Sequence, residues 1–444
     1  MWLIKIYSTV IIFLACISVK AQVTLSGELR LRSEFRDGYG SPLPKGTNPA
    51  FFISQRTRLN FGYEMYRLKF GMSIQDVRVW GQDVSNINRS TTQNNNGLML
   101  YEAWAEILLT DTSLKNKSLS LKIGRQELIY DDQRLIGNSD WVLQGRRFDA
   151  AVFKFETSAW SLHVAAAYNQ NQENNSGTIY NPVPPGNYPA STNGGAMYKS
   201  LEFLHVNKHL AAGTMSFLFF TDQFSRYRLD TVNSEPSKTY LSSTWTRVTT
   251  GVYFSNTFNK VSVTASAYYQ FGQSSSGQNL STDLLSGFVQ YHFDRLTAGI
   301  GVDYTSGGTH GSTSNVFDPL YGTPHKFWGL MDYYYVSSPF GTGGLVDYYI
   351  KTKTNLTARS RASADFHQFS SAQQIKGSKD FGQELDLVYN YSLTKEIILE
   401  AGFCHFWSTV LLSSPTVKNV PNSNSNSNWA YIQVEICPDF IFRK

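Results

Sequence analysis

Apolar and polar side chains alternate along most of this chain, and few folds are compatible with that alternation. It recurs in one segment after another from residue 22 onward; in residues 119–124, for example, leucine or isoleucine alternates with serine, lysine or glycine. A strand with this two-residue period has one apolar face and one polar face. The polar faces carry small or charged residues that would not pack a dry core. The pattern predicts a barrel with an apolar outside and a water-filled inside.

The connections between the predicted strands alternate between short turns and long polar loops. The long loops fall near residues 36–50, 80–98, 129–146, 170–197, 225–243, 272–282, 305–344, 370–380 and 410–428. Outer-membrane barrels have this asymmetry, with short periplasmic turns and long extracellular loops. The sequence therefore predicts an all-β fold, a transmembrane antiparallel β-barrel of about 18 strands. The barrel must close, because every backbone N–H and C=O group needs a partner in lipid.

The first 21 residues have the composition of a signal peptide. Lys5 precedes an apolar run, and Val19, Lys20 and Ala21 resemble a small-x-Ala cleavage site before Gln22. The run has about 12 residues, whereas a membrane helix needs about 20. We expect residues 1–21 to be a signal peptide and residues 22–444 to form one barrel. Export and a barrel together predict the outer membrane of a Gram-negative cell, with outer-membrane lipids as partners.

Composition limits the class of function. The formal net charge of +5 on 444 residues is too small to indicate a nucleic-acid partner. Aromatic residues make up 14% of the chain, and those near strand ends are expected to form girdles at the membrane interfaces. The expected girdle residues are Trp104, Trp141, Trp160, Trp245, Tyr268, Tyr269, Tyr389, Tyr391 and Trp407. Cys404 and Cys437 show neither CxxC spacing nor nearby histidines, so we interpret them as packing residues.

No catalytic or metal-binding motif stands out in the sequence. There is no GxSxG motif for a serine hydrolase, and the histidines are scattered. Asp131, Asp132, Asn138 and Asp140 offer oxygen ligands for Ca²⁺, but their spacing matches no EF-hand and a solvated loop is the preferred interpretation. We expect no enzyme activity, no cofactor and no metal. A barrel hydrolase remains an alternative, as does a surface-binding or adhesion barrel, which the long loops at 170–197 and 305–344 favour.

Several short motifs resemble those of the alginate export family of outer-membrane barrels. They are RQEL at 125–128, QRL at 133–135, DW at 140–141, RFD at 147–149, MDY at 331–333, VDYY at 346–349, GQELDL at 382–387, EAGF at 400–403 and HF at 405–406. The resemblance covers nearly the whole chain after the leader. It implies a barrel of 18 strands, and the founding member of the family exports an anionic polysaccharide through a lumen constricted by arginines. By motif match, the resemblance assigns that role to Arg125 and Arg147, with Asp149.

The predicted inner faces of the early strands carry charges of both signs. The positive residues are Arg30, Arg32, Arg56, Arg58, Lys122 and Arg147, and the negative residues are Glu28, Glu34, Glu102, Glu106 and Asp149. Many of these charges can pair across neighbouring strands. Arginine is also well suited to a carboxylate-bearing glycan, because its planar guanidinium binds a carboxylate through two hydrogen bonds and keeps its charge.

The sequence thus predicts a passive channel. Its expected ligand is a polar, anionic polysaccharide or oligosaccharide, which would pass by diffusion along the arginine-containing lumen. Arg125 and Arg147 are expected to point into the lumen at one level and to select anions there. Periplasmic components of an export system are possible further partners.

Overall fold

The computed structural model of the protein describes most of the chain after the predicted leader. The described residues are 22–81, 97–111, 116–170, 173, 175, 177, 197–232, 235–334 and 343–441. The signal peptide predicted at residues 1–21 lies outside the described residues, as do most of the loops predicted at 80–98 and 170–197.

Strands make up almost all of the regular structure in these residues. They are β1 (Gln22–Asp37), β2 (Ala50–Met65), β3 (Leu68–Val79), β4 (Met99–Leu108), β5 (Lys117–Gln126), β6 (Phe148–Thr157), β7 (Trp160–Tyr168), β8 (Ser200–Leu210), β9 (Gly213–Val232), β10 (Glu235–Phe258), β11 (Val261–Gln273), β12 (Asn279–His292), β13 (Leu296–Thr305), β14 (Thr309–His310), β15 (Thr313–Ser314), β16 (Leu345–Asn355), β17 (Ser360–Ile375), β18 (Ser378–Ser392), β19 (Ile397–Ser408), β20 (Asn426–Ile436) and β21 (Asp439–Ile441). A 3-10 helix lies at Pro324–Lys326 and a short helix, α1, at Val410–Ser413. None of the helices in the described ranges has the length and apolarity to cross a membrane.

The strands form one closed antiparallel barrel. Each wall strand pairs with the next along the chain, β13 pairs with β16, and β20 pairs with β1 from Leu29↔Ile436 to Asp37↔Asn428. β14 and β15 form a small hairpin within a loop, and the short strand β21 also pairs with β1. The other strands make up a wall of 18, as the sequence predicts. Closure gives every wall strand two neighbours and leaves no open sheet edge.

Turn and loop lengths follow the predicted alternation, with two differences. The short turns are tight, and Asn259 between β10 and β11 adopts a left-handed conformation with φ of 57°. The loops predicted at 225–243 and 370–380 are wrong, because the strands continue through them. β9 and β10 pair with each other far beyond the neighbouring strands, and β17 and β18 meet at a turn formed by Lys376 and Gly377. These two hairpins project from the long-loop end of the barrel.

The two faces of the wall differ as the alternation predicts. On β6, buried and exposed positions alternate without interruption from Phe148 to Phe153. Ile300 on β13 faces outward and is 66% exposed in the protein alone, whereas the inward-facing Arg56 on β2 is 0% exposed. An outer face of exposed apolar side chains matches a hydrocarbon environment.

Two loops fold into the barrel and fill part of its interior. They comprise residues 127–147 and the described part of residues 306–344, and their core side chains are Leu128, Leu135, Ile136, Phe317, Leu320, Tyr321, Trp328, Met331, Tyr333 and Tyr334. The wall residues in the same core include Phe148, Ala150, Val152, Leu201 and Phe203. The prediction that every inner face is polar is therefore wrong for this part of the wall. Loops that pack inside a barrel need an apolar surface to pack against.

The aromatic girdle is partly as predicted. Trp160, Tyr269, Tyr389 and Trp407 are 40–47% exposed. Four other members of the predicted girdle lie away from the lipid-facing surface. Trp104 contacts the inward-facing Lys122, and Trp141 belongs to an inserted loop. Trp245 is buried against Tyr227, and Tyr268 lies in the core. Aromatic residues near strand ends thus serve the inner packing of this barrel as well as its outer surface.

Candidate functional site

Four arginines lie on the inner face of two adjacent strands. Arg30 and Arg32 belong to β1, Arg56 and Arg58 belong to β2, and each is at most 9% exposed. Arg30 and Arg56 are directly opposite each other in the strand register. The placement follows from the two-residue period, since each pair occupies alternate positions of its strand. The sequence predicted this inward orientation.

Asp140, from the loop between β5 and β6, places its carboxylate among three of these arginines. Its Oδ1 accepts a hydrogen bond from Arg56 Nη1 at 2.8 Å and lies 3.5 Å from Arg58 Nη1, while its Oδ2 accepts one from Arg30 Nη2 at 2.9 Å. Burial would raise the pKa of this carboxyl, but the charges of Arg56 and Arg30 outweigh it and hold the pKa below its usual value. Asp140 is therefore an ionised carboxylate at neutral pH.

Two carboxylates of the wall complete what we call the arginine cluster. Glu28 accepts a hydrogen bond from Arg56 Nε at 3.0 Å, and Glu435 on β20 accepts one from Arg30 Nη2 at 3.0 Å. The cluster thus contains the three guanidinium groups of Arg30, Arg56 and Arg58 and the three carboxylates of Glu28, Asp140 and Glu435. Its formal charge is balanced, and the barrel seam between β20 and β1 runs beside it.

A β-bulge turns Tyr101 toward the arginine cluster. The register of β3 and β4 shifts between Ser73 and Ile74, opposite this residue, and Tyr101 is 1% exposed. Its hydroxyl donates to Glu127 at 2.6 Å, and its ring centroid lies 3.8 Å from the Arg58 guanidinium carbon. Simple alternation with the inner-face residues Glu102 and Glu106 would place Tyr101 on the outer face, but a bulge adds one residue to the strand and changes the alternation.

The fourth arginine of the inner face, Arg32, packs on an aromatic stack. Its guanidinium carbon lies 4.1 Å from the ring centroid of Trp141, and Trp141 also stacks on His325 with centroids 4.2 Å apart. His325 Nδ1 in turn lies 3.0 Å from Asp332 Oδ1. Both inserted loops meet in this stack, so Arg32 stabilises the loop arrangement beside the cluster.

Two further arginines of the loop between β5 and β6 hold the inserted loops in place. Arg134 donates to Asp303 on β13 at 2.5 Å, and Trp328 Nε1 donates to the same carboxylate at 3.0 Å. Arg146 donates to the carbonyl oxygens of Gly322 at 2.7 Å and Gly137 at 3.0 Å, and also to that of Tyr321. Sequence reasoning named neither arginine as a site residue.

Arg125, Arg147 and Asp149 do not form the expected level in the lumen. Arg125 Nε and Nη2 bind the two carboxylate oxygens of Asp149 at 2.9 and 2.8 Å. Asp149 shares the outer face of β6 with Ala151 and Phe153, so this ion pair lies outside the wall. Arg147 contacts Met99, with Nη2 3.7 Å from its sulfur.

Arg146, which was not among the residues predicted from the sequence, is buried inside the barrel and 2% exposed. Phe148, Ala150 and Val152 are the inward residues of β6 because they pack against the inserted loops. With that face inside, alternation places the Asp149 side chain outside. The apolar residues on one face of β6 are the sequence signal that could have shown which face of this strand points inward.

Lys122 on β5 faces inward, as predicted. Its ammonium nitrogen lies 3.9 Å from the ring centroid of Trp104. Nearby, Lys154 on β6 forms an ion pair with Glu106 at 3.1 Å. These groups lie toward the short-turn end of the barrel, away from the arginine cluster, and they form a second charged region of the inner wall.

Lys418, in the loop between β19 and β20, ties three loops together at the long-loop end. Its ammonium group donates to the carbonyl oxygen of Gly40 at 3.0 Å and to that of Tyr333. Burial lowers the pKa of Lys418 to about 7, although the charge of Asp332 acts in the opposite direction. This lysine changes charge near neutral pH and belongs to none of the residues predicted from the sequence.

The oxygen ligands considered for Ca²⁺ are engaged with protein partners. Asp131 Oδ1 lies 3.0 Å from His205 Nε2 and accepts a hydrogen bond from Ser216 at 2.6 Å. Asp132 Oδ1 accepts a hydrogen bond from the backbone N–H of Arg134 at 3.0 Å. Among the residues that the structure describes, no group of three or more histidine, cysteine or carboxylate side chains is arranged to hold a metal ion.

Several solved structures share this fold, and one of them is described as a porin. OpdO of Pseudomonas aeruginosa is similar with a TM-score of 0.61 at 11% identity, covering 95% of this chain and 98% of its own. A BenF-like porin from Pseudomonas fluorescens Pf-5 is similar at 0.60 and 9%, covering 94% and 99%. OccAB4 of Acinetobacter baumannii is similar at 0.60 and 10%, covering 94% and 98%. At such identities the likeness concerns the fold.

The sequence comparison gives the family. No curated protein matches the chain. Residues 21–338 match the family described as alginate export, a span that covers most of the chain and includes the arginine cluster except Glu435. The barrel fold and the family match agree with an outer-membrane channel of a Gram-negative cell. The chain belongs to the alginate export family of outer-membrane β-barrels.

Proposed function

We propose that this channel passes a polar, anionic saccharide by passive diffusion past the arginines of its inner wall. The observation that carries the proposal is the group of four inward arginines, Arg30, Arg32, Arg56 and Arg58, on two neighbouring strands. In this proposal the protein carries out no chemical step. Lys122 extends the cationic lining toward the periplasmic end.

The chemistry of these residues fits a uronate better than a neutral sugar. A guanidinium group presents a planar set of donors that matches a carboxylate, and it stays charged at all physiological pH values. Fixed positive groups in a narrow channel raise the local concentration of anions. The inward charges are largely paired with carboxylates, so we expect weak and reversible binding, which is what passage requires.

Liposome swelling tests this proposal. Vesicles that contain the purified protein are mixed with iso-osmotic galacturonate, or with galactose as the neutral control of similar size. We expect faster swelling with galacturonate, and a smaller ratio of the two rates in Arg56→Gln. Arg125→Gln is the matched control, because its guanidinium pairs with Asp149 on the outer face, and its ratio should equal that of the wild type.

The swelling rates, together with a separate activity assay, distinguish a channel from the alternative classes of barrel. Equal swelling rates for the two sugars in the wild type would contradict the anionic preference while leaving a channel. No swelling with either sugar would favour a binding or adhesion barrel. Chromatography of oligogalacturonate after incubation with the protein would reveal shortened products if the barrel were a hydrolase.

A further inference from the structure

We propose that Arg30, Arg56 and Arg58 form a carboxylate-binding site that the protein fills with its own Asp140, and that a uronate carboxylate binds there in exchange for it. This inference rests on the proposed function. In it, Asp140 is an internal competitor of the external carboxylate for the three arginines. The site would take the carboxylate of a hexuronate residue of the saccharide.

The contacts of Asp140 are those expected of a bound carboxylate ligand. Both of its oxygens are used, since Arg56 donates to Oδ1 at 2.8 Å and Arg30 donates to Oδ2 at 2.9 Å. Arg58 Nη1 lies 3.5 Å from Oδ1 on the third side. The three guanidinium groups come from two neighbouring strands of the rigid wall, and the carboxylate comes from a loop. The donors are therefore preorganised, and the acceptor is the movable part.

The charge balance of the arginine cluster depends on this loop residue. Within the wall itself, Glu28 and Glu435 supply two carboxylates for the three arginines. The wall alone thus keeps one uncompensated positive charge, and a single external carboxylate would neutralise it as Asp140 does. Exchange replaces one carboxylate with another, so no buried arginine is left unpaired during passage.

Asp140 lies on the accessible side of the cluster. Its side chain is 36% exposed, whereas those of Arg30, Arg56 and Arg58 are 8%, 1% and 9% exposed. Arg30 Nε and Arg58 Nη2 are buried and have no hydrogen-bond partner among the described residues. Asp140 is the most exposed member of the arginine cluster, so a ligand can approach the guanidinium groups from the side where Asp140 now lies.

Exchange needs only a rotation of the Asp140 side chain. The backbone can stay in place during this rotation, because Arg30 Nη1 donates to the Asp140 carbonyl at 2.8 Å and Ser139 N–H donates to Thr323 Oγ1 at 3.1 Å. Arg32 Nη1 also donates to the carbonyl of Trp141 at 3.0 Å. A tethered carboxylate has a high effective concentration at the arginines, so it weakens an external ligand without abolishing binding. Weak binding lets a saccharide leave the site as well as enter it.

Current block in planar bilayers tests the exchange. Glucuronate is added to open channels of the wild type, Asp140→Ala and Asp140→Asn, and the concentration for half-maximal block is measured. We expect both variants to be blocked at roughly 10-fold lower glucuronate concentration than the wild type, because the internal competitor is gone. Glucose should have the same weak effect on all three. Asp149→Asn is the matched control, since its carboxylate lies in the outer-face pair with Arg125, and it should behave like the wild type.

Equal half-blocking concentrations of glucuronate in the wild type and both Asp140 variants would overturn the proposal. Asp140→Asn keeps the shape of the side chain, so it decides the question if Asp140→Ala does not fold. The two levels of inference are separable. A wild type that swells faster with galacturonate, combined with unaltered block in the variants, would refute the exchange site alone. A wild type without uronate preference would refute the proposed function.

Discussion

Arg146 donates a hydrogen bond to the carbonyl oxygen of Gly322 at 2.7 Å, and this contact joins the two loops that fold into the barrel. The same guanidinium also binds Gly137 and Tyr321, and it is 2% exposed. The carbonyl groups of Gly137 and Gly322 would lose this donor if the side chain were shortened, whereas that of Tyr321 would keep the N–H of Gly137. The position of the inserted loops, and hence of Asp140, therefore depends in part on this buried arginine.

We therefore expect Arg146→Met to lower the free energy of unfolding by about 3 kcal/mol, since buried carbonyl groups without partners cost about 1–3 kcal/mol each. Urea unfolding in lipid vesicles, followed by tryptophan fluorescence, measures the change. Arg125→Met is the control and should stay within about 1 kcal/mol of the wild type, because its guanidinium lies in the exposed pair with Asp149. Equal effects of the two substitutions would show that Arg146 does not hold the loops.

The outer face of β13 should reject a charge. Ile300→Arg places a guanidinium in the hydrocarbon region and should cost about 2–4 kcal/mol near the membrane midplane. Thr297→Arg, on the inner face of the same strand, should be tolerated. Folding is monitored by the heat-modifiable mobility of the barrel on gels. A folded band of normal intensity for Ile300→Arg would contradict the assignment of the faces.

The ion pair of Arg125 and Asp149 should contribute little to stability or passage. Their side chains are 38% and 50% exposed, and exposed pairs are worth about 0.2–1 kcal/mol. Arg125→Ala should therefore leave both the urea midpoint and the ratio of galacturonate to galactose swelling close to the wild-type values. A clear loss of galacturonate preference in this variant would return Arg125 to the substrate path.

Lys418 should make the loop assembly more stable as the pH rises above neutrality. Its folded-state pKa of about 7 lies below the ordinary lysine value of 10.5, so between these values the unfolded chain binds more protons than the folded protein. Stability then rises with pH across this window and is flat in this respect below pH 7. Hydrogen exchange of loop amides at pH 6 and pH 9 measures it, and Lys418→Met should remove this dependence. An unchanged dependence in the variant would assign the effect to other groups.

The sequence was sufficient for the architecture because a barrel wall is a periodic object. The alternation in β1 and β2 placed Arg30 and Arg56 inside, since each residue's direction follows from its neighbours alone. The hairpins at 225–243 and 370–380 were predicted as loops because their residues are polar on both faces. Such a composition is expected of a loop and also of strands that extend beyond the membrane. Local pattern does not distinguish the two.

The candidate site was harder to predict because loops bring together residues that are far apart in sequence. Asp140 meets Arg56 across 84 positions and Arg30 across 110, and no periodicity relates a loop carboxylate to a distant strand. The phase of β6 was misassigned because its inner face packs against inserted aromatic residues instead of water. Arg125 matched a family motif, yet a motif match does not say which way a side chain points.

Single-channel recording with the wild-type protein in planar bilayers tests the central claim most directly. The account predicts discrete current steps, and it predicts that trigalacturonate interrupts the open current at lower concentration than a neutral trisaccharide of the same length. A membrane that contains folded barrels and shows no steps would contradict the account, and so would open steps that the two trisaccharides interrupt equally.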